Sequence, residues 1–316
     1  MGAARSDLER VFPSMNSDSA PRTLSVIVGS LGAAGTMREC LSALEAACEG
    51  IDAEILVVDA SADASARVAR ETLPSARVLS LPIGTLVPAL WGAGLREARG
   101  RVVAFTIAQC VVERRWASAL LQGIREGAAG VGGRLDVRRN ASATGRATFY
   151  LRYSAWLSAR DGPAHEIAGD NAAYEREALR AVRESTGAPF WEVEAHARLR
   201  AAGRTLVIHP DATAWFTDDT ALRTMAARRF AHGRHSGSFR VRSGIRTRWQ
   251  MVLGAPLVPL VLLLRVGRRV AVTRGHMTGF VTSLGAFFVL ATAWAAGEAI
   301  GGFTAGAEMP ESLRAA

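Results

Sequence analysis

Several short stretches carry side chains able to do chemistry, and most of them close an apolar run. In EILVVDASAD, Asp59 follows five apolar-rich positions, with Ser61 and Asp63 at two-residue spacing behind it. A carboxylate in that place can accept two hydrogen bonds from neutral donors, while Asp63 would also serve simply to cap a following helix. In VVAFTIAQC (102–110) a second apolar run ends at Ile107 and Gln109. Open α/β sheets place their ligand chemistry at such strand ends, yet neither a carboxylate nor a His stands here. Gly169-Asp170-Asn171 joins a glycine, which lets backbone approach a ligand, to two polar side chains, of which Asn171 also suits a helix N-cap. Glu192 and Glu194 open a helical stretch, where the helix dipole alone favours acids. Arg228, Arg229 and Arg234 cluster in ALRTMAARRFAHGRH, and Arg grips phosphate bidentately.

These groups need elements to hold them, and the patterning supplies a regular series. Leu24–Val28 reads as a strand closed by Gly29-Ser30-Leu31-Gly32, and 36–49 as a helix with Met37, Cys40, Leu41, Leu44 and Ala47 on one face. Strands follow at 54–58, 76–80, 101–106 and 130–135, with helices at 63–73, 86–99 and 116–127 between them. Strands alternating with helices predict a parallel sheet covered on both faces, with right-handed crossovers. Beyond that, Phe149, Tyr150, Tyr153 and Trp156 recur at near-helical spacing, reading as core or membrane-facing aromatics. A helix starts at Glu175, another covers 191–202, and a short strand covers 205–208. His196, His209 and His232 read as ordinary packing residues.

Composition narrows the class. The chain has 316 residues, net charge +9, and contains no Lys, so its 38 basic residues are all Arg. Their concentration over 223–274, beside apolar stretches, points to an anionic membrane surface rather than nucleic acid. Cys40, Cys48 and Cys110 have no disulfide or metal spacing, as expected of a reduced compartment. Residues 1–21 have no apolar run and read as a flexible tail rather than a signal peptide. Met277–Ala296 is twenty residues without a charge, and at ~1.5 Å per residue it spans roughly 30 Å, one bilayer core. Met251–Leu264 is apolar but shorter, with Pro256 and Pro259 inside it. The loop between them, RVGRRVAVTRGH, carries four Arg, which the positive-inside rule keeps off the far side. The expectation is therefore that only the second stretch crosses and that the first is re-entrant or interfacial.

The ordered series VIVGSLG, EILVVDASAD, ARGRVVAFT, GDNAAYEREAL and FWEVEAHARLRAAG, over about residues 22–235, resembles the family 2 nucleotide-sugar glycosyltransferases. The resemblance implies the α/β GT-A fold, a mostly parallel Rossmann-like sheet with helices on both faces. It divides the chain into a tail (1–21), a GT-A domain (22–220), a basic amphipathic or interfacial region (221–248) and membrane segments with a tail (249–316). It implies transfer of a sugar, with inversion, from a nucleoside-diphosphate donor to a lipid-linked or envelope glycan acceptor. It also implies an inner- or plasma-membrane protein whose catalytic domain is cytoplasmic. Donor-binding residues carried over are Gly29, Ser30, Asp59, Ser61, Gln109, Arg228 and Arg229. Gly169, Asp170 and Asn171 would line the acceptor side. Glu192 stands at the position of the catalytic base, with Glu194 as the alternative.

One departure matters. The family's Asp-x-Asp, which holds Mg²⁺ or Mn²⁺ against the donor diphosphate, is replaced by Ile107 and Gln109. Hard cations prefer carboxylate oxygens, so no metal ligand is assigned. Two readings remain open at the sequence level: an enzyme in which Arg takes over from the cation, and a non-catalytic GT-A-like scaffold or nucleotide-binding module. A dinucleotide-binding oxidoreductase is disfavoured because GSLGAAG lacks the G-x-G-x-x-G spacing.

Overall fold

The computed structural model describes residues 22–157, 161–182, 189–218, 220–242 and 244–305; the N-terminal tail lies outside them. Eleven strands are described: β1 Leu24–Ser30, β2 Ala53–Asp59, β3 Arg77–Ser80, β4 Val102–Ile107, β5 Cys110–Val112, β6 Gly130–Gly132, β7 Leu135–Val137, β8 Gly162–Ala164, β9 Asn171–Glu175, β10 Leu206–Ile208 and β11 Ala214–Phe216. The helices are α1 Ala34–Ala47, α2 Ser65–Thr72, α3 Val87–Glu97, α4 Trp116–Arg125, α5 Ala143–Tyr153, α6 Arg176–Val182, α7 Glu192–Ala201, α8 Leu222–Arg242, α9 Arg248–Gly254, α10 Val258–Ala271, α11 Met277–Val281 and α12 Leu284–Phe303.

The main sheet has the order β3-β2-β1-β4-β9-β6-β10-β8. Its first four strands are parallel, as their alternation with helices requires, and β1 is buried along its whole length, Ser25 and Ser30 included. The register aligns Ser30 with Asp59 and Asp59 with Ser80, while Ile107 lies opposite Gly29. The C-terminal ends of the four strands therefore form one ledge.

The helix expected from Glu175 begins at Arg176, but the segment leading into it is β9, which the pattern did not announce. It is a strand, antiparallel to both β4 and β6, with Asn171 opposite Thr106. Because it runs backwards, its entry at Gly169-Asp170 arrives at the same ledge where the parallel strands end. A second sheet, β5-β11-β7, closes beside it; its strands are three residues each, too short for periodicity to reveal. The aromatics of α5 face inward, with Phe149, Tyr150 and Tyr153 buried. All three cysteines are free and buried.

The C-terminal region departs most from expectation. The twenty-residue apolar stretch is not one helix. It breaks between α11 and α12 at Thr282-Ser283, where the Ser283 hydroxyl bonds the Phe280 carbonyl. The first stretch is longer than its apolar residues suggest. α9, a 3-10 turn at Ala255–Leu257 and α10 form a 24-residue helical run, Arg248–Ala271, which accommodates Pro256 in the turn and Pro259 in the first turn of α10. By length and composition this run and α12 are both capable of crossing a membrane. The stretch expected to cross a bilayer instead has a protein partner: α12 packs in parallel on α8. Gly233, Gly237, Gly297 and Gly301 lie at four-residue spacing on the two facing surfaces. A methyl group at Gly301 would stand 1.9 Å from the Arg234 carbonyl oxygen, and one at Gly237 2.1 Å from that of Glu298. Only hydrogen at those positions lets the backbones approach this closely.

Candidate active site

A cavity of about 840 Å³ opens on the ledge and is walled on its far side by α8. The β2 end builds one wall. Asp59, 4% exposed, accepts hydrogen bonds from the hydroxyls of Ser30 (2.6 Å) and Ser61 (2.6 Å), and Ser61 Oγ accepts the Gly32 N–H at 2.7 Å. The Asp59 carboxylate is thus occupied beneath the cavity surface, and Ser61 rather than Asp59 lines it. Gly29 and Ser30 also lie below it; Gly29 packs under Trp91, whose indole N–H bonds the Thr106 carbonyl. Asp63 does line the cavity. Its carboxylate accepts from the Ser65 N–H and hydroxyl, in the turn that leads into α2, and from the Ala34 N–H at the start of α1. Burial pushes its pKa up, but these hydrogen bonds and the nearby Arg228 outweigh that and leave it below the usual value.

At the β4 end Ile107 and Gln109 line the cavity, 2% and 8% exposed. Among the described residues no group of three or more His, Cys, Asp or Glu could hold a metal ion. The residues where the family's cation would sit do not fit it: one is a hydrocarbon, and the other offers an uncharged amide. Cationic side chains converge instead. Arg228 and Arg229 project from α8, with His232 one turn on, and Arg152 from α5. Arg228 reaches so near Gly32 that a methyl group there would meet its guanidinium at 2.3 Å. Arg229 lies over the Trp294 ring at 4.3 Å, and its buried Nε has no hydrogen-bond partner. Burial, then Arg152, lowers its pKa to about 10, with Glu298 opposing, so it stays charged at neutral pH. His232 is pushed down to about 4 by burial and by Arg152, Arg229 and their neighbours, and is neutral. Arg234 is not among the lining residues.

The acidic side of the cavity is Asp170 and Glu192. Asp170, 6% exposed, accepts from Arg152 (2.7 Å) and Tyr153 (2.6 Å) through Oδ2, while its buried Oδ1 has no partner. Glu192 opens α7 against Gly169, where a methyl group would stand 3.2 Å from the Glu192 Cβ. Its carboxyl is pushed up to about 7, first by burial and then by the charge of Asp170, with its own backbone N–H and Arg152 opposing. The neighbouring residues in the sequence are not brought in. Glu194 is exposed and paired with Arg198 at 2.6 Å. Asn171, fully buried, accepts from the Trp116 indole and donates to the Arg134 and Ala212 carbonyls, so it neither lines the cavity nor caps a helix. His196 is buried between Tyr174 (2.7 Å) and Glu166 (2.5 Å).

Sequence reasoning missed Arg152, Trp91, Thr148, Asp218 and Trp191, all of which line the cavity. A weak signal existed for two of them. Thr148 and Arg152 are four residues apart, hence on one face of the aromatic-rich helix.

Parallel strand ends, a deep cavity on their ledge and a helix that opens on Glu192 beside it define an α/β fold of the GT-A type. Residues 25–183 match the sequence model described as Glycosyl transferase family 2, half of the chain, and the protein belongs to that family of nucleotide-sugar-dependent glycosyltransferases. No curated protein matches the chain by sequence. Among solved structures it is similar to a mycobacterial protein at 20% identity (TM-score 0.47), covering 66% of this chain and 71% of that one. It is similar to glucosyl-3-phosphoglycerate synthase from Mycobacterium tuberculosis, solved with Mn²⁺, UDP-glucose and phosphoglyceric acid, at 18% identity (TM-score 0.45; 66% and 76%). S. aureus TarS is similar at 14% identity (TM-score 0.41), over 39% of its length and 66% of this chain.

Proposed function

We propose that this glycosyltransferase moves a sugar with inversion from a nucleoside-diphosphate donor to a lipid-linked or envelope glycan, using arginines where its family uses a divalent cation. The reading is carried by one observation: Arg152, Arg228 and Arg229 share a cavity with Glu192, while Ile107 and Gln109 occupy the strand end. Glu192, deprotonated, takes the proton of the acceptor hydroxyl; that oxygen attacks the anomeric carbon from the face opposite the leaving group. The bond from that carbon to the diphosphate oxygen breaks, and the charge gathering on the departing nucleoside diphosphate is met by preorganised guanidinium groups. Ser61 and Asp63 are assigned to the donor's nucleoside end, with Asp59 holding Ser61 in place. Gly169 and Asp170 are assigned to the acceptor side. The catalytic domain is placed on the cytoplasmic face of the inner or plasma membrane, supported by the Arg-rich segments beside the apolar C-terminal helices.

The test is calorimetric titration of the detergent-solubilised protein with UDP- and GDP-sugars, each with Mn²⁺ and with EDTA. Donor binding is expected to survive EDTA and to weaken at least about tenfold in Arg228→Ala, the order expected for losing a charge-assisted hydrogen bond. Binding that requires Mn²⁺ would refute the arginine reading.

A further inference from the structure

The apolar C-terminal helices pose a geometric problem that their composition hides. α8 is a wall of the substrate cavity, through Thr224, Arg228, Arg229 and His232, so it must stand where a charged nucleotide can reach it. α12 is fastened to that same helix turn by turn. Trp294 lies on Arg229; Gly233 packs on Trp294 and Glu298; Gly237 packs on Glu298; Ser238 donates to the Gly301 carbonyl at 2.8 Å. The contacts advance together along both chains, so the helices are parallel over this length. Glu298, 4% exposed, is held inside the seam by Ser236 (3.0 Å) and Arg240 (3.1 Å). A bilayer-crossing α12 would draw α8, with Arg228 and Arg229 on the cavity wall and Arg240 beyond it, into hydrocarbon, where each charge costs several kcal/mol.

The hairpin that precedes α12 returns to the same body. Arg269, near the end of α10, donates to Ser154 at 3.2 Å, and the Tyr150 hydroxyl donates to the His276 carbonyl at 2.9 Å. The Arg-rich connection between the two apolar helices therefore rests on the catalytic domain. Both helices are one-sided. Leu253, Leu257, Leu260 and Leu264 line the exposed stripe of the Arg248–Ala271 run, whereas Met251, Val266 and Val270 are buried. On α12, Phe288, Val289, Ile300 and Phe303 are exposed, whereas Phe287, Leu290 and Ala291 are buried. All but three of the large exposed hydrophobic residues lie between 239 and 303, in this layer. Exposed Arg residues border it at 242, 246, 248, 265, 268 and 274.

We infer that these helices do not cross the bilayer but lie in the plane of one anionic leaflet, holding the catalytic domain to a single side. One apolar face with a cationic rim is the pattern of in-plane binding. The inference rests on the membrane placement proposed above and replaces the expectation that α12 crosses.

The native cysteines are buried, so single reporters can be added to the full chain: Ser75→Cys on the catalytic domain, Val272→Cys in the loop and Thr304→Cys past α12. All three positions are exposed. In spheroplasts of an expressing bacterium, a membrane-impermeant maleimide is expected to label none of them until the cells are permeabilised, with the protein in the membrane pellet. The purified protein is expected to float with phosphatidylglycerol-containing vesicles, and L253E/L260E, altered only on the exposed stripe, to lose most of that flotation. Labelling of Thr304→Cys alone in intact spheroplasts would mean that α12 crosses; the in-plane inference falls and membrane attachment stands. A protein that neither pellets with membranes nor floats with vesicles would overturn both.

Discussion

Glu192 and Asp170 show how the cavity sets chemistry residue by residue. With its carboxyl at about 7, Glu192 can serve in the base role proposed for it only once deprotonated. Turnover is therefore expected to rise with pH along a limb centred near 7, and Glu192→Gln to lose that limb together with ~100- to 10,000-fold of kcat, with KM for the donor little changed. The same shift has a stability consequence of opposite sense. A carboxyl raised from 4.5 in the unfolded chain favours the fold fully below about 4.5, and that contribution is lost as pH rises through about 7. Glu192→Gln should thus be more stable than the parent at pH 8, by up to about 3 kcal/mol, and not at pH 4, which thermal melts at the two pH values would decide. Arg152→Met leaves the Asp170 carboxylate with Tyr153 alone; urea unfolding is expected to report a loss of about 2–3 kcal/mol, and donor titration a weaker complex. At this scale the sequence was legible where a residue's placement in the cavity follows from its element. Glu192 at a helix start and Arg228 on a basic helix are such cases. It misled where the role depends on neighbours distant in the chain. Asp59 looks like a ligand but is consumed by Ser30 and Ser61, Asn171 is locked into the core by Trp116, and Arg152 gains its place only because β9 brings Asp170 to α5.

Among elements, the parallel strands and their helices follow from hydrophobic period alone, because the central strands are buried on both faces. The antiparallel β9 did not, since a five-residue apolar strand running into a helix carries the same pattern as a helix start. The break at Thr282-Ser283 was hidden for a related reason: an uncharged stretch reads as continuous even where a hydroxyl can satisfy the carbonyl that ends a turn. The α8–α12 seam makes a sharp prediction. Gly301→Val must push the two backbones apart, and overpacking of this kind costs about 1–3 kcal/mol. A fall in Tm of roughly 3–10 °C is expected for a domain of this size. Thr292→Val, on the exposed side of α12 and nearly unchanged in shape, should leave Tm within about 1 °C by the same measurement.

For the whole molecule, on the in-plane inference, the all-Arg charge and the one-sided apolar layer act together. Vesicle binding should depend on salt through the cationic rim and on the exposed stripe independently of salt. Raising ionic strength from about 0.05 to about 0.5 M is expected to weaken flotation with anionic vesicles, because the screening length shrinks below ~5 Å. It should leave any residual binding to zwitterionic vesicles unchanged. A binding curve insensitive to both lipid charge and salt would remove the electrostatic part of this account. Hydropathy marked the two apolar segments, but it could not orient them. Orientation is decided by which helix α12 touches, and that is a tertiary fact.

The guanidinium of Arg229 has the substrate cavity on one side and the Trp294 ring on the other. With the proposed donor site and the in-plane inference taken together, it is one object shared by two binding events, and free energy linkage makes the sharing reciprocal. If the leaflet changes how firmly α12 sits, the grip on the donor changes by some factor, and a bound donor must change the affinity for the leaflet by that same factor. The enzyme would then sense, in its own substrate constant, whether it has arrived at a surface.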